Sequence, residues 1–316
     1  MEKKKQLIIL TGPTAVGKTE LSIGLAKAIG GEIISADSMQ VYRHMDIGSA
    51  KITKEEMQGV PHHLTDILEP FEECNVFFFQ KAAKKAMEGI YERGNIPLIV
   101  GGTGFYIQSV LYDIAFHENE TDLSYRVRLE QLAEKEGAEV LHQKLREVDP
   151  VSAGEIHPNN IKRVIRALEY YHLNHLPISL HNEAERQKES PYDFRYFVLT
   201  DDRAVLYERI DKRVDKMMEQ GLLDEVKKLR EMGCDRELVS MQGLGYKELL
   251  GYLEGEYDLE RAVYLIKRDT RHFAKRQLTW FRRERDVTFI NKGEFGYDNE
   301  KILAFMTESI KQEGRQ

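Results

Sequence analysis

The stretch Gly12-Pro13-Thr14-Ala15-Val16-Gly17-Lys18-Thr19 has the residue types and spacing of a loop that holds a polyphosphate. Glycines let successive main-chain N–H groups turn inward around phosphate oxygens. A lysine at this spacing reaches the terminal phosphates, and the hydroxyl after it, Thr19, is placed to ligate Mg2+. The apolar run before the loop and the helical pattern after it supply the required strand–loop–helix context, with the helix dipole adding positive charge. In a nucleotide hydrolase such a loop is accompanied by a second strand ending in Asp, which helps hold the magnesium. Here the candidate strand, IPLIV, ends in Gly101-Gly102-Thr103-Gly104. That turn would let a bulky group approach the backbone, and Thr103 offers a hydroxyl in place of a carboxylate, which argues against a hydrolase. The carboxylate stands elsewhere. In EIISADSMQVY, Asp37 directly follows another apolar run, on the same sheet edge as the loop, where it would act as general base toward the reacting end of a phosphorylated substrate. The competing reading makes Asp37 and Ser38 the cap of a following helix.

A second chemical signal is basic. The net charge of −7 speaks against a nucleic-acid partner, yet residues 261–285 hold nine Lys/Arg against Asp269 and Glu284, a local excess of 9 − 2 = 7 positive charges. On a helical projection Ala262, Ile266, Phe273 and Trp280 fall within roughly 40° of one another, and Arg268, Arg271, Lys275 and Arg282 lie opposite. A solvated charged face would mix signs; a nearly pure cationic stripe points to a polyanion. In NNIKRVIRALEYY, Ile161, Ile165 and Leu168 form an inward face, with Arg163, Arg166 and Tyr170 directed elsewhere. Two basic surfaces suggest a folded RNA read by backbone contacts and shape.

The elements that must position these residues are short β-rich runs (6–10, 32–36, 97–100, 196–200, 287–290) alternating at first with helical patterns (18–29, 75–93). That alternation predicts an α/β fold, a parallel sheet covered on both faces, with ligands at the carboxyl ends of the strands. Strand signals stop between about residues 117 and 191, read as an inserted helical domain. The core is then 1–116 with 192–316, including long helical stretches at 203–232 and about 259–283, and the last dozen residues are expected to fray. With 41% hydrophobic and 31% charged residues the chain reads as soluble and globular, and no run approaches a membrane span. The basic-then-apolar start continues directly into the glycine loop, so it reads as a first strand, not a secretory signal. Cys74 and Cys234 belong to no metal or disulfide spacing, which suits a cytoplasmic protein. His62-His63 has no supporting carboxylate spacing and is assigned a structural or RNA-adjacent role.

Taken in order, GPTAVGKTEL, SADSMQVY, VPHHLTDI, GGTGFY, HPNNIKRVIRALE, MQGLGYKEL and KRQLTWFRR resemble the bacterial tRNA dimethylallyltransferases (tRNA isopentenyltransferases) across nearly the whole chain. The resemblance implies a P-loop NTPase-like core that transfers a dimethylallyl group from dimethylallyl diphosphate to N6 of adenosine 37, beside the anticodon. It implies that residues 12–19 grip the diphosphate, with Mg2+ near Thr19, and that Asp37 takes the N6 proton. Thr103 would sit at the bridging oxygen and Arg213 at the diphosphate, with Arg209 as an alternative one turn earlier. Asp37, Ser38, Met39, Gln40, Thr103 and Arg126 (or Arg128) would line the entrance for the flipped adenine, although the contact role of Met39 is open. Lys162, Arg163 and Arg166 would meet the anticodon stem-loop. Gln242, Gly243, Gly245, Tyr246, Lys275, Arg276, Gln277 and Arg282 would complete the tRNA grip. The chain is expected to act as a monomer. The rival readings are an adenylate isopentenyltransferase acting on free AMP, ADP or ATP, a P-loop small-molecule kinase, and a non-catalytic RNA-binding module.

Overall fold

A computed structural model describes residues 4–116 and 123–312. The chain divides into two compact units, Met1–Leu111 with Pro191–Gln316, and Tyr112–Ser190. The sequence places the first junction at 116/117, at the edge of a segment outside the described residues, and the second at 191/192.

In the larger unit, chain order runs β1 (Lys5–Thr11), α1 (Lys18–Ile29), β2 (Gly31–Ala36), β3 (His62–His63), α2 (Val76–Glu92), β4 (Ile96–Gly101) and α3 (Gly104–Leu111). The smaller unit follows, all helical: α4 (Leu123–Glu136), α5 (Ala138–Val148), α6 (Pro150–Glu155), α7 (Ile161–Asn174) and α8 (Ile178–Gln187). The larger unit resumes with β5 (Tyr192–Thr200), α9 (Arg203–Glu219), α10 (Leu222–Glu231), α11 (Tyr246–Leu253), α12 (Leu259–Phe281), β6 (Val287–Asn291) and α13 (Asn299–Gln312). Six parallel strands form one sheet in the order β3-β2-β4-β1-β5-β6. Leu7, Ile8, Ile9 and Leu10 of the central strand are fully buried, as a strand covered on both faces requires.

Local chemistry sets the helix limits. Asn75 starts α2 by accepting the Phe78 N–H at 2.9 Å, and Asp258 starts α12 by accepting that of Arg261 at 2.8 Å. The single stretch expected over 203–232 is two helices, because Gly221 adopts φ 97° and breaks it. The expected fraying also fails through residue 312; residues 313–316 lie outside the described residues. Ile302, Met306 and Ile310 of α13 are buried in the main core with Leu25 and Ala26 of α1. The paired histidines form the edge strand: His62 Nδ1 is 2.9 Å from the Val60 carbonyl, and His63 Nε2 2.7 Å from Glu32. Hydrogen bonds from Arg93, then from Asn95 and His63, hold the buried Glu32 carboxyl down at about 2. In the smaller unit, Leu141, Leu145, Val164, Ile165 and Leu168 make a separate core. Tyr170, read from the sequence as facing away from it, is buried against His181. Among the described residues no helix is long and apolar enough to cross a membrane.

Candidate active site

Sheet register brings three strand ends together. Thr11 pairs with Gly101, and Gly101 with Ala36, so β1, β4 and β2 finish level with one another. The next residues of these strands are the glycine loop, the Gly102-Thr103 turn and Asp37. The Thr103 N–H donates to the Ala36 carbonyl at 3.2 Å, fixing the turn directly beside Asp37. No helix follows Asp37; its Oδ1 accepts the Met39 N–H at 2.9 Å in a local turn, which removes the helix-cap alternative.

The glycine loop is bent by Gly12 at φ 146°, Ala15 at φ 64° and Gly17 at φ 96°. Val16 is fully buried in the core and pins the loop from below. The N–H groups of Ala15, Gly17, Lys18 and Thr19 have no protein acceptor among the described residues, so they form a donor cradle at the start of α1. Thr14 does not join it: its N–H donates to Gln277 Oε1 at 2.9 Å. Lys18 Nζ donates to the carbonyls of Gly12 and Pro13, both at 2.9 Å.

Lys18, Asp37 and Arg213 share one charge neighbourhood. Desolvation, then the Arg213 guanidinium, pushes the Lys18 ammonium down to about 8, and the Asp37 carboxylate acts against that fall. Burial likewise lowers Arg213, again opposed by Asp37. Arg209 is committed elsewhere, to a 2.6 Å ion pair with the buried Asp201, so the guanidinium facing Asp37 belongs to Arg213.

Gln277 differs from its expected role. It is buried and spans the site, accepting from Thr14 and donating from Nε2 to the Gly102 carbonyl at 3.0 Å. A Cβ on Gly102 would collide with the Gln277 amide, and one on Gly104 with the Trp280 indole. The bulky groups that the glycine turn admits are therefore side chains of α12. Gln277 is a buried strut between the glycine loop and the turn, not part of an exposed surface.

Several other expected contacts are internal. Tyr246 is fully buried, and its hydroxyl donates at 2.7 Å to Glu225. Glu225 in turn accepts the N–H groups of Asp46, Ile47 and Gly48, so this pair fixes the loop that follows Asp37. Gln40 uses both ends of its amide on Ser35 and on the Ser49 and Ala50 carbonyls. Met39 packs on the backbone of Gly243 and Gly245 is buried, whereas Gln242 is exposed and donates to the Arg236 carbonyl. Sequence reasoning missed Glu225 altogether, since no local pattern connects it to residues 46–48.

The basic helix splits in two. In its first half, Lys267 pairs with Asp215 at 2.5 Å and Arg271 with Asp211 at 2.6 Å, both acids on α9, and Arg268 pairs with Asp269. Those charges are answered by protein. In the second half Lys275, Arg276, Arg282 and Arg283 are exposed and make no ion pair among the described residues. The inward line of α12 runs through Ala262, Ile266, Ala274, Gln277 and Phe281, leaving Phe273 and Trp280 half-buried. In the smaller unit Lys162, Arg163 and Arg166 are exposed on α7. Arg126 is held there by Glu169 through two bonds of 2.8 Å, and Arg128 lies over the Tyr125 ring.

Comparison with known proteins decides the family. The profile described as IPP transferase matches residues 40–284, and that described as isopentenyl transferase matches residues 5–66. This chain belongs to the IPP transferase family. It is 63% identical over 305 residues to the tRNA dimethylallyltransferase of Lachnoclostridium phytofermentans, covering 96% of each chain. To that of Carboxydothermus hydrogenoformans it is 53% identical, covering 95% of this chain and 96% of the relative. Among solved structures of the family, the Bacillus halodurans tRNA isopentenylpyrophosphate transferase superposes with TM-score 0.73 at 45% identity, covering 99% of both chains. A eukaryotic dimethylallyltransferase acting on tRNA gives TM-score 0.77 at 31% identity, covering 91% of this chain and 74% of the other.

Proposed function

We propose that this IPP transferase moves a dimethylallyl group from dimethylallyl diphosphate to N6 of adenosine 37 in the tRNA anticodon stem-loop. The observation that carries this reading is the shared charge neighbourhood of Lys18, Asp37 and Arg213 at the carboxyl edge of the sheet. A loop that receives diphosphate and a carboxylate that receives a proton are what prenylation of an amine needs. The N6 lone pair forms a bond to the allylic C1 as the C1–O bond to diphosphate breaks. Asp37 accepts the N6 proton. Adenine N6 is a poor nucleophile, so stabilising the departing charge matters most; the N–H groups of residues 15 and 17–19, Lys18 and Arg213 supply that stabilisation. Thr103, next to Asp37, is assigned to the bridging oxygen.

Mg2+ is part of the same reading. Among the described residues no group of three or more His, Cys, Asp or Glu is arranged to hold a metal ion. A magnesium ion that keeps its waters and binds mainly through substrate phosphates needs little more than the exposed Thr19 hydroxyl, so the donor set fits. When bound it would neutralise charge on the leaving diphosphate.

The tRNA surface is assigned to Lys275, Arg276, Arg282 and Arg283 on α12 and to Lys162, Arg163 and Arg166 on α7. Arg126 is assigned to the entrance for the flipped base, with its guanidinium positioned by Glu169. A monomer working in the cytoplasm, where its tRNA substrate is found, completes the proposal. The test supplies dimethylallyl diphosphate with unmodified tRNA and, separately, with AMP. Prenylated adenosine is expected at position 37 of the tRNA and none in the nucleotide; product from AMP alone would overturn the assignment.

A further inference from the structure

Among the described residues, the buried Lys292 has no hydrogen-bond or ion-pair partner for its ammonium. It opens the short turn after β6 and is only 7% exposed. Its backbone is fixed, since the Tyr297 N–H donates to its carbonyl at 2.9 Å. Its ammonium makes no hydrogen bond or ion pair among the described residues. The nearest acids do not answer it. Asp201 is consumed by Arg209 at 2.6 Å and by the Tyr297 hydroxyl at 3.1 Å, and Glu20 lies near without reaching it.

The ammonium is aimed at the phosphate loop. Lys292 Nζ lies 2.9 Å from the point a Cβ on Gly17 would occupy, where α1 begins. Nine-tenths of the Lys292 residue is withdrawn from water, so its unpaired charge is costly unless an anion meets it, and the free N–H groups at the same helix end call for an anion too. This position differs from that of Lys18. The charges acting on Lys18 are Arg213 and Asp37, whereas those acting on Lys292 are Arg209, Asp201 and Glu20. Lys18 Nζ is held at the Gly12 and Pro13 carbonyls and Lys292 Nζ stands at Gly17, so the two lysines address different parts of the loop, and Asp37, which acts on Lys18, marks the part where the bond breaks.

We infer that Lys292 is a second phosphate-binding ammonium, meeting at Gly17 the terminal phosphate of the diphosphate, the one farther from the reacting carbon. This rests on the reading of residues 12–19 as the diphosphate cradle. It makes the site selective for a diphosphate over a monophosphate, because a single phosphate held by Lys18 near Asp37 leaves Lys292 unmet.

The test measures binding of inorganic diphosphate and inorganic phosphate to the full chain by calorimetry, for wild type, Lys292→Met, Lys292→Arg and Lys18→Ala. Lys292→Met is expected to weaken diphosphate binding about tenfold or more, as for loss of one charged hydrogen bond, and to leave phosphate binding unchanged. It should also shrink the rise in melting temperature that diphosphate produces, with Lys292→Arg restoring part of both effects. Unchanged diphosphate affinity in Lys292→Met, with Lys18→Ala weakened, overturns this inference alone. Undiminished affinity in Lys18→Ala overturns the cradle itself. Should Lys292→Met fail to fold, a crystal of the wild type with inorganic diphosphate decides. Nζ within about 3 Å of a terminal phosphate oxygen is expected, and a separation beyond about 4 Å refutes the inference.

Discussion

Asp37 stands where a strand ends and a turn begins, and its chemistry follows from that placement. Its backbone is fixed by the Ala36–Thr103 bond, and one carboxylate oxygen is occupied by the Met39 N–H, leaving the other for the proton that the proposed transfer releases. Asp37→Ala is expected to lower the single-turnover rate by about a hundredfold or more while tRNA affinity stays near wild type. An unchanged rate would remove Asp37 as base. Lys18 gives a pH-linked expectation. Its folded-state pKa, about 8, lies below the ordinary 10.5, so the unfolded chain binds more protons between these values. This group accordingly makes the folded state gain stability as pH rises from about 8 to 10.5. Diphosphate acts oppositely, because it favours the ammonium. Relative to Lys18→Met, wild-type binding of inorganic diphosphate at about pH 9 should take up additional protons, read by calorimetry in buffers of different ionisation enthalpy. Equal uptake in both proteins would contradict the burial account of Lys18.

Helix α12 shows why an element's charge cannot be read from its own sequence. Its cationic stripe is half answered by Asp211 and Asp215, four residues apart on α9, and half exposed. The two halves should respond differently to substitution. Replacing Lys275 and Arg276 by alanine is expected to weaken tRNA binding and flatten its salt dependence by about one to two logarithmic units per decade of salt. Arg271→Ala should leave that slope alone and reduce unfolding free energy by roughly 0.5–1 kcal/mol in urea titrations. If both variants flatten the slope equally, the division of the helix is wrong. The bend of the glycine loop and the placement of Asp37 beside it were legible because their signals are local, a glycine pattern and an acid at a strand end. The strut made by Gln277 was not, because it joins positions 263 and 175 residues apart. Nor was the Glu225 clamp on residues 46–48, which joins positions 177 to 179 residues apart. A charge run is best read with the acids of the helices able to pack beside it.

For the whole molecule, the sheet and the helical insertion follow from strand–helix alternation and from where it stops. The C-terminal helix was misjudged because its polar residues dominate composition while three apolar ones, spaced on one face, enter the core. Truncation after residue 296 should therefore cost on the order of 5 kcal/mol in urea unfolding, from lost burial of Ile302, Met306 and Ile310. A loss under about 1 kcal/mol would show α13 to be dispensable. The amide of Gln277 carries a further implication. Arg276 faces outward and the neighbouring Gln277 inward, so one rigid cylinder bears a handle on its outside and a bolt on its inside. Any rotation of that cylinder as it takes hold of a polyanion must be transmitted to Thr14 and Gly102 together. On the proposed reading of α12 and of the glycine loop, seating the large substrate and aligning the small one become a single motion.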